Sequence, residues 1–198
     1  MIAIIDYGMG NLKNVYKALV SIGVEAVITS EIEVIKACDQ VILPGVGAFK
    51  EAIATLHRTG LKEVIEESAA SGKPLLGICL GMQLLFETSY ENGRYEGLGL
   101  LPGEIIKLDV PFKVPHMGWN RLEIVKEAPI FEGIDNRAYA YFVHSYHMEG
   151  PEKIISAYTT YGKKIGIGVQ KDNIYGLQFH PEKSGEVGLK MLKNFASL

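Results

Sequence analysis

The chain opens on the apolar run Ile2, Ala3, Ile4, Ile5, and comparable short runs recur at 24–28, 41–43 and 75–78. Runs this short, rich in Ile, Val and Leu, suit strands buried on both faces. Between them the period changes. At 12–22, 49–56 and 61–70 apolar residues recur every three to four positions among Lys, Glu and Asn, the pattern of amphipathic helices. Strand and helix thus alternate through the first half. That order predicts a parallel sheet with helices on both faces, and ligands gathered at the carboxyl ends of the strands.

From Leu98 onward the pattern differs. The segments 104–108, 121–125, 139–144, 153–158, 165–170 and 174–178 are short and rich in Ile, Val, Tyr and Phe, which predicts an antiparallel or mixed extension of the sheet. Lys171-Asp172-Asn173 reads as a hairpin turn, and a helix at 187–195 closes the chain. No linker rich in Pro, Ser or Gly interrupts the 198 residues, 47% of them hydrophobic, so a single domain over 1–198 is expected.

Composition narrows the partners. The net charge is −3 with both signs interspersed, which leaves no basic stripe for nucleic acid or anionic lipid. Small molecules and proteins remain. Two cysteines, Cys38 and Cys79, are too few for a disulfide scaffold and fit a reducing compartment. No charged segment precedes the first apolar run, and no run approaches a membrane span. A cytoplasmic location is expected.

The chemistry centres on Gly77-Ile78-Cys79-Leu80-Gly81, between the strand at 75–78 and a helix predicted over 82–87. A G-x-C-x-G at a strand-to-helix turn is the cysteine form of a nucleophile elbow, and the helix amides behind it favour thiolate. An inert buried thiol is the competing reading. In Pro44-Gly45-Val46-Gly47, two glycines flank one residue and free the backbone amides to turn toward a neighbour. The loop is a candidate oxyanion hole, or a plain turn. Gly8-Met9-Gly10-Asn11 has Lys13 where a dinucleotide site needs its third glycine, so it reads as a tight turn with Asn11 capping the next helix.

A cysteine nucleophile needs a base and a group to orient it. Of five histidines, His57 reads as a surface residue, and His116, His144 and His147 as structural hydrogen bonders near strand ends. In His180-Pro181-Glu182 the proline holds His180 extended. Residues two apart then share a side, so Glu182 is expected beside the imidazole. A strand-end turn with a surface carboxylate is the alternative. The histidine spacing matches no zinc pattern; neither metal nor cofactor is expected.

Together, Gly77 to Gln83, Pro44 to Gly47 and His180 to Glu182 resemble the class I (triad type) glutamine amidotransferases. Within that family, Asp6 to Leu12, Pro115 to Asn120 and Phe142 to Tyr146 resemble glutaminase subunits of imidazole glycerol phosphate synthase. The resemblance implies a flavodoxin-like α/β fold and hydrolysis of L-glutamine by Cys79, with His180 as proton carrier and Glu182 holding it. It implies oxyanion donors at Leu80 and in Gly45, Val46 and Gly47, and substrate contacts from Gln83, Glu91, Ser145 and Tyr146. It also implies a heterodimer with a (β/α)₈-barrel cyclase that consumes the ammonia. Asn11, Pro115, His116, Met117, Trp119 and Asn120 would face that partner. Another ammonia-using synthase, or a silent regulatory subunit of the same fold, is the alternative.

Overall fold

The computed structural model describes residues 1–198. The first half runs β1 (Ile2–Ile5), α1 (Leu12–Ser21), β2 (Ala26–Thr29), α2 (Ile32–Ala37), β3 (Gln40–Gly45), α3 (Phe49–Thr59), α4 (Leu61–Ala70), β4 (Leu75–Cys79) and α5 (Leu80–Leu84). The second contains β5 (Phe86–Ser89), β6 (Tyr95–Glu96), β7 (Leu101–Lys107), β8 (His116–Arg121), β9 (Glu123–Ile124), β10 (Tyr139–His144) and β11 (Tyr146–Glu149). Then follow β12 (Ile155–Tyr161), β13 (Lys163–Lys171), β14 (Ile174–Leu177) and α6 (Gly185–Ala196).

The main sheet has the order β2-β1-β3-β4-β14-β13-β12-β9. Its first five strands run parallel, in the doubly wound arrangement expected of a β-α-β-α pattern. The strands β1, β3, β4 and β14 are buried along their whole length, which is why they read as unbroken apolar runs. One face packs on Phe49 and Phe86, the other on Phe142, Phe179 and Phe195. Late in sequence, β14 inserts beside β4 with Leu177 opposite Ile78. That pairing delivers residues 178–180 to the end of β4.

The second half departs from the expected single extension. Only β13, β12 and β9 continue the main sheet, antiparallel. The segments β8 and β10 pair as a separate two-stranded ribbon, and β11, β7, β5 and β6 form a small mixed sheet. The reason lies in burial: β10 alternates inward and outward positions, so it can cover one surface but cannot sit inside a doubly covered sheet. The predicted helix over 82–87 is also corrected. The helix α5 stops at Leu84, and Phe86 begins β5, where Phe86 and Thr88 point inward and Glu87 outward. The short α2, with Ile35 as its one buried residue, offers too little periodicity to read from sequence. The turn at Asp172 is as expected, with Lys171 opposite Ile174 and Asp172 at φ 52. Asn11 does occupy the N-cap position of α1, but its side chain makes no capping hydrogen bond.

Candidate active site

Cys79 ends β4 at φ 55, ψ −113, a backbone conformation that side-chain-bearing residues rarely adopt. Holding it there costs about 1–3 kcal/mol, which surrounding contacts must offset. The flanking glycines permit those contacts. A Cβ on Gly81 would lie 1.8 Å from the Leu43 carbonyl oxygen, and one on Gly77 would lie 2.6 Å from Met82 Cα. These glycines serve close approach of α5 to β3 and β4, so both positions exclude any side chain. The thiol is buried and points toward the Val143 carbonyl, Sγ to O 3.8 Å.

His180 is extended, at φ −101 and ψ 96, as its following proline requires. Its Nδ1 lies 2.9 Å from Glu182 Oε1. The two residues do not share one side of an extended strand. Residues 181–183 form a single 3₁₀ turn that swings the carboxylate back to the ring. The segment is stitched to β10: His180 N–H donates to the Tyr141 carbonyl, and Ser184 Oγ donates to the His180 carbonyl while accepting from Tyr141 N–H. Side chains of His180 and Glu182 are 2% and 1% exposed, so the carboxylate depends on the ring for its compensation. Burial pushes the imidazole toward its neutral form. Hydrogen bonding and charge from Cys79 and Glu182 outweigh this and raise its pKa to about 10. His180 Nε2 is buried and makes no hydrogen bond, to the Cys79 sulfur or to any other atom, although Cys79 contributes to the raised pKa of the ring.

A cavity of about 320 Å³ joins these groups. Cys79, Leu80, Gln83, Glu91, Val46, Gly47, Ser145, Tyr146, Pro115 and His180 all line it. Gly45 does not; it pairs with Cys79 across β3 and β4, where a Cβ would meet the Tyr7 hydroxyl at 2.5 Å. Of the loop's residues, Val46 and Gly47 are the ones exposed to the cavity. The loop is held at both ends. Tyr7 Oη donates to the Pro44 carbonyl at 2.9 Å, and Phe49 N–H donates to Glu91 Oε2 at 3.0 Å. Burial first, and then Cys79, push the Tyr7 hydroxyl's pKa up, so it stays a donor. Neither tether is visible in sequence spacing. Glu91 therefore secures the start of α3 as well as lining the cavity.

Gln83 is buried and its Nε2 donates to both the Tyr146 carbonyl and Gln178 Oε1. With both amide hydrogens committed, it offers a ligand its carbonyl oxygen. The same Tyr146 carbonyl accepts from His144 Nδ1–H, which leaves His144 Nε2 as acceptor for His116 Nδ1–H. Asn120 Nδ2 then donates to His116 Nε2. Both rings are neutral, and burial lowers their pKa values, to about 4 for His116 and about 3 for His144. His116 is thus an internal support of the ribbon rather than a surface residue. Its neighbours on the opposite face of β8 are exposed: Met117 is 62% and Trp119 57% accessible. Asn11 lies on the 8–11 turn, which abuts Pro44 and Gly47 through Gly10 and Met9. Gln178, Tyr7 and Ser184 carried no signal in sequence, since each acts through a partner distant in the chain.

A family model described as glutamine amidotransferase class-I matches residues 3–197. The chain belongs to this family. Among relatives, it is 54% identical to the imidazole glycerol phosphate synthase subunit HisH of Bacillus cytotoxicus, over 98% of this chain and 93% of that protein. The subunit of the same name from Caldanaerobacter subterraneus is also 54% identical, over 100% of this chain and 98% of that protein. Among solved structures, a glutamine amidotransferase at 18% identity superposes with a TM-score of 0.79 over 100% of both chains, a likeness of fold.

Proposed function

We propose that this chain is the glutaminase subunit of an imidazole glycerol phosphate synthase. The observation that carries the chemistry is the meeting, in one cavity, of a strained Cys79 with a His180 that Glu182 braces from behind. In the first step Cys79 Sγ attacks the side-chain carboxamide carbon of L-glutamine. The tetrahedral oxyanion is held by backbone amides of Leu80 and of the Val46 and Gly47 loop; one such donor is typically worth about 3 kcal/mol. His180 gives its proton to the departing nitrogen, and ammonia leaves a glutamyl thioester. His180 then takes a proton from water, whose hydroxide attacks the thioester carbonyl, and glutamate and Cys79 are released. Gln83, Glu91, Ser145 and Tyr146 line the cavity where the substrate's backbone groups would sit.

The ammonia serves a second subunit, a (β/α)₈-barrel cyclase that makes imidazole glycerol phosphate and an aminoimidazole carboxamide ribotide. The names of the 54% identical relatives support this assignment, as does the exposed Met117 and Trp119 face beside the cavity. The test is glutamine hydrolysis by the chain mixed with such a cyclase. Cys79→Ala is expected to abolish glutamate production while leaving the fold and the association intact. Retained hydrolysis would refute the nucleophile; a rate indifferent to the cyclase would refute the partner.

A further inference from the structure

We propose that Gln178 is a positioning residue for the thiol, joining Cys79 to the substrate side of the cavity through Gln83. Gln178 is fully buried, immediately after β14, and its Nε2 lies 3.8 Å from Cys79 Sγ while its Oε1 accepts from Gln83 Nε2 at 3.0 Å. The orientation of this amide follows from its neighbours. The Tyr146 carbonyl can only accept, so Gln83 presents its NH₂ there, and that same NH₂ meets Gln178. Gln178 must answer with oxygen, which leaves its N–H pointing at sulfur. The remaining Tyr146 contact is set by His144, His116 and Asn120, each with its proton direction determined. A donor aimed at sulfur favours the attacking thiolate and limits its rotation. The long N···S distance is typical of a soft acceptor and makes the effect moderate.

This inference rests on the reading of Cys79 as nucleophile. The other titratable groups acting on the sulfur, His180 with Glu182 behind it and Tyr7, are left in place by the test. Gln178→Met removes both the donor and the acceptor at nearly constant volume; Gln178→Glu keeps an acceptor for Gln83 and, when ionised, replaces the donor with an oxygen that repels thiolate. Each would be assayed in complex with the cyclase for kcat and KM, and by mass spectrometry for iodoacetamide alkylation of Cys79 against pH. The expected result is kcat lower by about tenfold with KM within about threefold, and alkylation of Cys79 several-fold slower than in the wild type. Folded variants with wild-type kcat and an unchanged alkylation profile would overturn the proposal. Loss of folding in both would also overturn it, by assigning Gln178 to the core. If Cys79→Ala kept its activity, the nucleophile reading would fail instead, an outcome separable from these.

Discussion

Cys79 shows how one position can be strained and still well supported. Its φ of 55 is tolerable because Gly77 and Gly81 let α5 press against β3 and β4 at distances no side chain permits. Gly81→Ala is therefore expected to destabilise the fold by about 3 kcal/mol or more, since the clash is with the fixed Leu43 carbonyl, and urea unfolding would read it. Glu182 works differently. Replaced by Gln, it would still fill its site but could no longer compensate the His180 imidazolium, so kcat should fall about 10²- to 10⁴-fold and the melting temperature should drop as the buried pair is broken. At this scale the sequence was informative. The cysteine, the histidine and the carboxylate were legible because their chemistry resides in tripeptide and pentapeptide patterns. Gln178 and Tyr7 were not, because a glutamine after a strand and a tyrosine in a turn have no meaning until the pairing of β14 with β4 and of β1 with β3 brings them beside the thiol.

Among the elements, the β8 and β10 ribbon is the most revealing, since its inner face is built on two neutral histidines. His116 and His144 have native pKa values of about 4 and about 3, below the ~6.5 of an unfolded histidine. Between these values the unfolded chain binds more protons than the native one, so stability falls as pH drops below ~6.5. A loss of about 2 kcal/mol from pH 7 to pH 5 is expected, allowing for solvent screening and coupling, and thermal melts across this range would measure it. His180 acts in the opposite window: with its pKa raised to about 10, its contribution is present below ~6.5 and lost as pH rises through about 10. The ribbon itself was legible as two apolar segments, but its separation from the main sheet was not. Alternating burial shows which residues face inward, and says nothing of which sheet a strand joins.

For the whole molecule, the carboxyl ends of β3 and β4 carry the 46–47 loop and the thiol, which share one cavity with Pro115 and residues 143–146 at the ends of the ribbon. No helix is long and apolar enough to cross a membrane. Because Gly45 is held in β3 beside Cys79 and the loop is tethered at Pro44 and Phe49, its freedom is confined to Val46, Gly47 and Ala48. The proposed cyclase partner would act on that short stretch. The free chain is expected to hydrolyse glutamine far more slowly than the complex under cyclase turnover, and equal rates would exclude this gating. Trp119→Ala should weaken association about 10- to 100-fold by titration calorimetry, as loss of an aromatic interface anchor does.

What the sequence alone determined is the alternation that builds a parallel sheet and the short motifs that hold Cys79, His180 and Glu182, because both are written within a few residues or one helical period. The tertiary structure decided the rest. It divided the second half into three sheets, turned His116 inward and Trp119 outward, and gave Glu91 a second task at the start of α3. Each of these depends on pairing between residues far apart in the chain, and such pairing is a choice among packings that local patterns leave equally open.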